Sequence, residues 1–377
     1  MKWEKRCHEF DSYWDEIKNL KKIYIFGAGL TGQTAYDYLH ENIHILGFVD
    51  NDKDKQNTFI NEVPVISPDE VVGSQDVAVI IAVGPESVLE IKRQMDALCV
   101  QAYDMYTFIP VFALYSQNEL VFTSISFLPT TVCNLNCECC LNFSPYIKRQ
   151  TFRDVEGLKD DIDIFFNKID SILLFHISGG EPFLYPDIIG LIRYIHDNYG
   201  NRIYRLETTT NGTVIPSDDL CRDLRSMNIG VILDDYTKSL PDKKMVFEEV
   251  KSKLLQYGVN YRIQRADSWI DLRPADEDVY SKPEELVDHF NDCAVPWQEY
   301  REGKLYLCNY SDYAGVAGIN QVMDDEFLDF KGDVSKAEIM EFRLGYSKKG
   351  FVGFCKRCPG YSCNEKYVTP AKQIKRG

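Results

Sequence analysis

Twelve cysteines stand in this sequence, and nine of them fall into two groups that no hydrophobic core requires. Four lie between Cys133 and Cys140, and five lie between Cys293 and Cys363. Structural free thiols pack singly as small hydrophobes, which is the reading for the isolated Cys7, Cys99 and Cys221. Thiols crowded into one loop have no such packing use and point to metal. The N-terminus MKWEKRCHEF lacks the apolar run of a secretory signal, and no stretch of about eighteen apolar residues occurs. A cytoplasmic protein is therefore expected, in which the thiols stay reduced and serve two metal sites rather than disulfides.

The length of 377 residues predicts two or three folded units, and 45% hydrophobic residues suffice for their cores. A formal net charge of −16 repels a phosphate backbone, and no basic run precedes the C-terminal KQIKRG. Neither nucleic acid nor a membrane is expected as a partner.

An α/β chain is read from the order of the elements. The run KIYIF at 22–26 leads into Gly27-Ala28-Gly29-Leu30-Thr31-Gly32 and a helical stretch, and the strand HILGFVD ends at Asp50. This is the strand, glycine turn and helix of a nucleotide-binding unit, with an acidic residue about 20 positions on, where a ribose is held. Gly27, Gly29, Gly32 and Asp50 are the candidate nucleotide contacts. A strand at 76–84 and a helical segment complete a Rossmann-like domain over residues 1–110, and Tyr106 to Asn118 reads as a linker. From Ser124 strands and helices alternate again, with strands near 124–128, 171–178, 203–209, 229–233 and 259–263. Such βα repeats build a partial parallel barrel of TIM type, here over residues 120–285, whose loops after the strands carry function. Beyond about 286 the pattern weakens into a loop-rich lobe extending to residue 377, of the kind that metal organises.

The segment Cys133-Asn-Leu-Asn-Cys137-Glu-Cys139-Cys140 gives C-x3-C-x2-C directly after a strand. Three thiolates hold three irons of a four-iron cube and leave one iron open to a small molecule, whereas zinc more often takes four protein ligands. The next strand ends in Ser178-Gly179-Gly180-Glu181-Pro182, and the one after in Thr208-Thr209-Thr210-Asn211-Gly212. Together these resemble the radical S-adenosylmethionine (SAM) superfamily. The resemblance implies that Cys133, Cys137 and Cys140 bind a 4Fe–4S cluster. It also implies that residues 178–182 hold the methionine moiety of SAM, and that Thr210 and Asn211 contact its ribose or carboxylate. An aromatic residue usually precedes the third cysteine in that family. Here Cys139 stands there and competes for the iron, the spacing favouring Cys140. Asp234 and Asp235, at the end of the fourth strand, are either substrate contacts or the start of a loop.

Cys293, nine residues, Gly303, four residues and Cys308, followed by Cys355-Lys-Arg-Cys358 and Cys363, resembles the SPASM and twitch lobes of radical SAM enzymes. That likeness implies a second, auxiliary 4Fe–4S cluster on Cys293, Cys308, Cys355 and Cys358. A structural zinc on the same thiols is the alternative. Trp297 and the aromatics from Tyr306 to Tyr313 read as packing around that site. Residues 20–108 resemble the N-terminal domains of nucleotide-sugar enzymes, which leaves open whether this one binds a nucleotide or only docks.

The resemblance implies reductive cleavage of SAM to a 5′-deoxyadenosyl radical, with an electron donor such as flavodoxin or ferredoxin, and hydrogen abstraction from a small molecule. An auxiliary cluster suits oxidation of a secondary alcohol on a sugar or nucleotide-linked sugar. Epimerisation is the runner-up, with Cys139, Cys221 or Cys363 as a hydrogen-donating thiol, and peptide maturation of SPASM type is a further alternative.

Overall fold

The computed structural model describes residues 1–71, 77–293, 298–362 and 364–375. Trp297 and Cys363, and Asp76 at the head of an expected strand, lie outside these residues. The chain is mixed α/β, with two mainly parallel sheets.

After helix α1 (Asp11–Ile17), the first unit runs β1 (Lys22–Phe26), α2 (Leu30–Leu39), β2 (His44–Val49), β3 (Phe59–Ile60), β4 (Val63–Ile66), β5 (Val77–Ile81), α3 (Pro85–Ala97) and β6 (Ala102–Asp104). Its sheet has the order β3-β4-β2-β1-β5-β6, parallel except for the β3–β4 pair. The chain leaves β1 first toward β2 and later returns to its other side at β5. A crevice opens where the order reverses, at the carboxyl ends of β1 and β5. β5 is buried at every position because helices cover both faces, hence the continuous apolar run VAVII.

The tract from Tyr106 to Asn118, expected as a linker, instead lies in helix α4 (Met105–Gln117) and its C-cap. The Asp104 carboxylate caps it by accepting from the Thr107 amide, and left-handed Asn118 ends it. Pro110 forfeits one i to i−4 bond and reads in sequence as a breaker. Phe108, Ile109 and Val111 are fully buried, and each contributes roughly 1.5–3 kcal/mol, which offsets that loss.

The second unit runs β7 (Val121–Phe122), β8 (Ile125–Phe127), α5 (Val155–Lys168), β9 (Ser171–Ile177), α6 (Ile188–Tyr199), β10 (Ile203–Thr210), α7 (Asp218–Ser226), β11 (Gly230–Asp234), α8 (Lys244–Gln256) and β12 (Tyr261–Gln264). The order is β12-β11-β10-β9-β7, with β8 also on β9, and every pairing is parallel. Phe127 pairs with Ile177, Ile177 with Thr208 and Thr210 with Leu233, so the strand ends align along one edge. The loops after β8, β9 and β10 all leave from that edge.

The remainder holds β13 (Trp269–Ile270), α9 (Pro283–Asp292), β14 (Tyr300–Arg301), β15 (Lys304–Tyr306), α10 (Asn309–Val316), β16 (Phe327–Asp329), α11 (Lys336–Arg343) and β17 (Tyr367–Val368). It is less irregular than the weak periodicity suggests. Residues 309–314 of α10 and 338–343 of α11 are buried all round, so neither helix shows an amphipathic stripe. The N-terminus docks here: Glu341 accepts from the amides of Cys7 and Glu9. One continuous core joins Ile25 of the first sheet, Phe175 of the second and Phe342 of α11. Among the described residues no helix is long and apolar enough to cross a membrane.

Candidate active site

The loop after β8 is held against the loop after β9 by backbone hydrogen bonds and by Asn142 Nδ2, which donates to Gly179 O. The Gly180 amide donates to Thr130 O at 2.9 Å and the Glu181 amide to Val132 O at 2.8 Å. Gly179 has φ +123°, and a Cβ on Gly180 would lie 2.2 Å from Val132 O. Only glycine allows the two backbones to approach so closely.

This junction sets Cys133, Cys137 and Cys140 on the wall of a cavity of about 420 Å³, opposite Ser178 to Pro182 and Asn211. A smaller cavity of about 160 Å³ reaches the same three thiols from the side of Glu299 and Asp312. Cys139 borders neither cavity; it is buried and lies 3.7 Å from Asp271 Oδ1. Burial pushes the Cys133 thiol up to about 11 and the Cys137 thiol up to about 12. Three neighbouring thiols whose ionisation burial opposes are readily ionised by a metal cation, and soft sulfur donors suit iron in a sulfide cluster. The residues present therefore fit a cluster with one open iron. Among the described residues no three His, Cys, Asp or Glu side chains converge tightly enough for a single metal ion.

Glu181 is 1% exposed and burial raises it to about 7, although the amides of Asn211 (2.7 Å) and Phe183 (3.1 Å) donate to it. Asn211 Nδ2 also faces Cys133 Sγ at 3.7 Å. Thr210, a sequence candidate for cofactor contact, is wholly buried and off the cavity wall, where Thr209 stands in its place. The two-residue period of β10 turns positions 209 and 211 to one face and 210 to the other.

Several wall residues carry no motif. Asn309 is 0% exposed, with neither side-chain amide atom hydrogen-bonded, and the Tyr310 hydroxyl is likewise buried and unpartnered. Both border the large cavity with Tyr313, so these aromatics do more than pack around the distant thiols. Asp234 is raised to about 7 by burial and accepts from Tyr236 OH at 2.9 Å, whereas Asp235 is spent on Thr237 and Arg265. The C-terminal tail closes the cysteine loop: Gln373 donates to Cys137 Sγ at 3.2 Å and accepts from the Asn136 amide at 2.7 Å. A tail contact across more than two hundred residues leaves no local sequence signal.

Cys308, Cys355 and Cys358 are buried, and with Cys293 they influence one another's ionisation, so the fold gathers all four. Backbone amides of Tyr361 and Gly360 donate to Cys293 (3.1 Å) and Cys358 (3.4 Å). Three buried thiols and the half-buried Cys293, two of the four accepting from backbone amides, are donors of the kind an iron–sulfur cluster takes.

In the first unit Gly27 (φ +112°) and Gly32 serve close packing, since a Cβ on Gly32 would lie 1.7 Å from Gly27 O. Gly29 faces open space. Burial opposes ionisation of Asp50, but the amides of Asp52 and Ala28 together with Lys55 outweigh it and hold the carboxyl below its usual range. Asp50 therefore ties the glycine turn to the end of β2.

Residues 127–242 match the Radical SAM superfamily, which implies a 4Fe–4S cluster and SAM, and residues 19–106 match the C2185-like, N-terminal family. No curated protein matches the chain. Among solved structures, native anSMEcpe with bound AdoMet is 17% identical over 60% of this chain and 81% of that one, with a TM-score of 0.43. BtrN in complex with AdoMet and 2-DOIA is 18% identical over 68% and 98%, at 0.40. Streptococcus suis SuiB is 20% identical over 47% and 43%, at 0.31.

Proposed function

We propose that this chain is a radical SAM oxidoreductase that takes a hydrogen atom from a carbon bearing a secondary alcohol, on a sugar or nucleotide-linked sugar. In this reading residues 1–110 form a Rossmann-like domain, 120–285 a partial TIM-type barrel and 286–377 an auxiliary-cluster lobe. The observation that carries it is one cavity lined by Cys133, Cys137 and Cys140, by Ser178 to Pro182, and by the unpartnered polar groups of Asn309 and Tyr310. Buried polar atoms left unpaired cost roughly 1–3 kcal/mol each, so these groups await a partner with hydroxyls of its own.

A cluster held by Cys133, Cys137 and Cys140 would, with SAM, supply the hydrogen-abstracting radical. The chain does the rest. Residues 178–181 and Asn211 orient SAM beside the thiols. Asn309, Tyr310 and Asp234 bind substrate hydroxyls, and Asp234, raised to about 7, stands ready to hold the alcohol proton. The buried wall excludes water from the reacting carbon. An electron leaving the substrate has a destination at Cys293, Cys308, Cys355 and Cys358, where a second cluster is proposed.

Among the described thiols named for epimerisation, Cys139 lies off the cavity and Cys221 is wholly buried on α7, which favours oxidation; Cys363 lies outside the described residues. The test is incubation of reconstituted enzyme with SAM, dithionite and a panel of sugars and nucleotide sugars in deuterated water. A ketone product formed together with 5′-deoxyadenosine that carries no solvent deuterium supports the reading. Inverted alcohol carrying solvent deuterium overturns it in favour of an epimerase.

A further inference from the structure

A third cavity, of about 240 Å³, lies between the two sheets. One side is formed by Thr31 and Thr34 of α2 and by Gly84 and Pro85 at the start of α3, in the crevice where the first sheet's order reverses. The other side is formed by Arg205 of β10, Arg262 of β12 and the strand residues beside them. Ser126, Leu174, His176 and Arg262 border this cavity and the thiol-lined cavity alike, and so form a thin partition between them. From Ser178 down to Leu174 is four residues, or ~13 Å along a strand.

The lining of this cavity holds two guanidiniums, Arg205 and Arg262, and no carboxylate, while Glu207, Glu86 and Asp104 stand around it. Glu207, 1% exposed, accepts from Arg262 through both oxygens, at 2.5 and 2.8 Å, and its Oε1 is also 3.2 Å from Arg205 Nε. One carboxylate thus serves two guanidiniums. Arg343, 9% exposed, stands behind the wall and donates through Nη2 to Thr123 Oγ1 (3.2 Å) and to Ser124 O and Oγ (3.2 and 3.3 Å). Its Nε is buried without a hydrogen-bond partner, and it forms no ion pair among the described residues. Glu86 folds back over Gly84 rather than onto any of the three. A buried guanidinium without a countercharge costs several kcal/mol, which a bound anion would remove. Pro85 opens a thirteen-residue helix with no side-chain cap hydrogen bond, and the positive end of that helix adds to the same field. A positive pocket in a chain of net charge −16 is a local construction and not the average of the surface.

We propose that this cavity binds a phosphate ester carried by the substrate, whose reacting carbon lies across the partition beneath Cys133, Cys137 and Cys140. The proposal rests on the sugar reading above and names the anionic end of that substrate. The phosphate sits against Arg205 and Arg262 and the start of α3, and the ligand threads between His176 and Arg262. Both a sugar 1-phosphate and a nucleoside diphosphate sugar carry the required group.

Calorimetric titration of the iron-loaded protein with inorganic pyrophosphate, glucose 1-phosphate, uridine diphosphate glucose and glucose tests this. The phosphorylated probes should bind at least about tenfold tighter than glucose, and Arg205→Gln should remove about tenfold of that affinity, with Arg205→Lys recovering part. Tighter binding of uridine diphosphate glucose than of glucose 1-phosphate assigns the nucleotide as the source; the reverse assigns the simple ester. Should Arg205→Gln not fold, hydrogen exchange on the unmodified protein decides: pyrophosphate should protect residues 84–87 and 123–126. Equal affinity for glucose and its phosphate, or protection confined to other segments, overturns the proposal. SAM cleavage triggered by a neutral sugar, without phosphate binding, removes this site alone. Phosphate binding with no alcohol oxidation removes the oxidoreductase reading alone.

Discussion

Replacing Gly180 by alanine tests whether the loops after β8 and β9 form one rigid unit. The added Cβ would meet Val132 O at 2.2 Å, Val132 C at 2.6 Å and Thr131 C at 2.8 Å, all backbone atoms that no side-chain rotation can move aside. Ordinary contact begins at 3.4 Å, so the two segments must part by about 1 Å. That separation stretches Gly180 N–Thr130 O and Glu181 N–Val132 O together, and the loss amounts to about 2–4 kcal/mol. Val132 adjoins Cys133, so the thiol moves relative to Glu181 and Asn211, and a shift of about 1 Å costs a catalytic site on the order of 100-fold in rate. The assay is 5′-deoxyadenosine formed per iron, with thermal unfolding measured on the same iron-loaded sample. Gly29→Ala is the control, because its Cβ meets nothing within 4 Å at φ −89° and should leave both readouts unchanged. A Gly180→Ala enzyme that cleaves SAM at the unmodified rate and melts at the same temperature would refute the packing argument.

Gly32→Ala should destabilise the first unit severely, since its Cβ would lie 1.7 Å from Gly27 O; a circular dichroism melt reads this. Asn309→Leu should leave the melting temperature unchanged or higher, because it deletes unpaired buried polar atoms, while raising the substrate KM by about tenfold. Gln373→Ala removes the donor to Cys137 Sγ and should speed iron loss to a chelator without changing iron content at the outset. His176 is pushed down to about 4 from 6.5 by burial, with Arg262 and Arg205 adding to the effect and Glu207 opposing it. Between pH 4 and 6.5 the unfolded chain thus binds the extra proton, so stability rises with pH across that window by about 3 kcal/mol; denaturant melts of His176→Asn should lack this slope.

Much of the fold was legible where burial is one-sided. Helices α5, α6 and α8 have an apolar stripe against a sheet and a polar face outward, and β5 and β9 carry the apolar runs of covered parallel strands. Helices α10 and α11 were not legible, because helices buried on every side lose the 3.6-residue contrast, and Pro110 disguised α4. The cysteine triplet and the Ser178–Pro182 segment were readable because each is contiguous and follows a strand. Asn309, Tyr310 and Gln373 reach the same cavity from distant segments, and the partition at His176 and Arg262 depends on how two sheets meet. Thr210 is buried against Glu181 while Thr209 borders the cavity, since one residue in a strand is the difference between its two faces.

The central claim is that Cys133, Cys137 and Cys140 support radical cleavage of SAM. Its most direct test is 5′-deoxyadenosine formation by anaerobically reconstituted enzyme with SAM and dithionite, comparing the unmodified chain with each single Cys→Ala variant and with Cys139→Ala. The account predicts cleavage that Cys139→Ala retains and that each of the other three substitutions abolishes. Full iron loading with no 5′-deoxyadenosine from the unmodified chain, even with the sugar panel present, would contradict it.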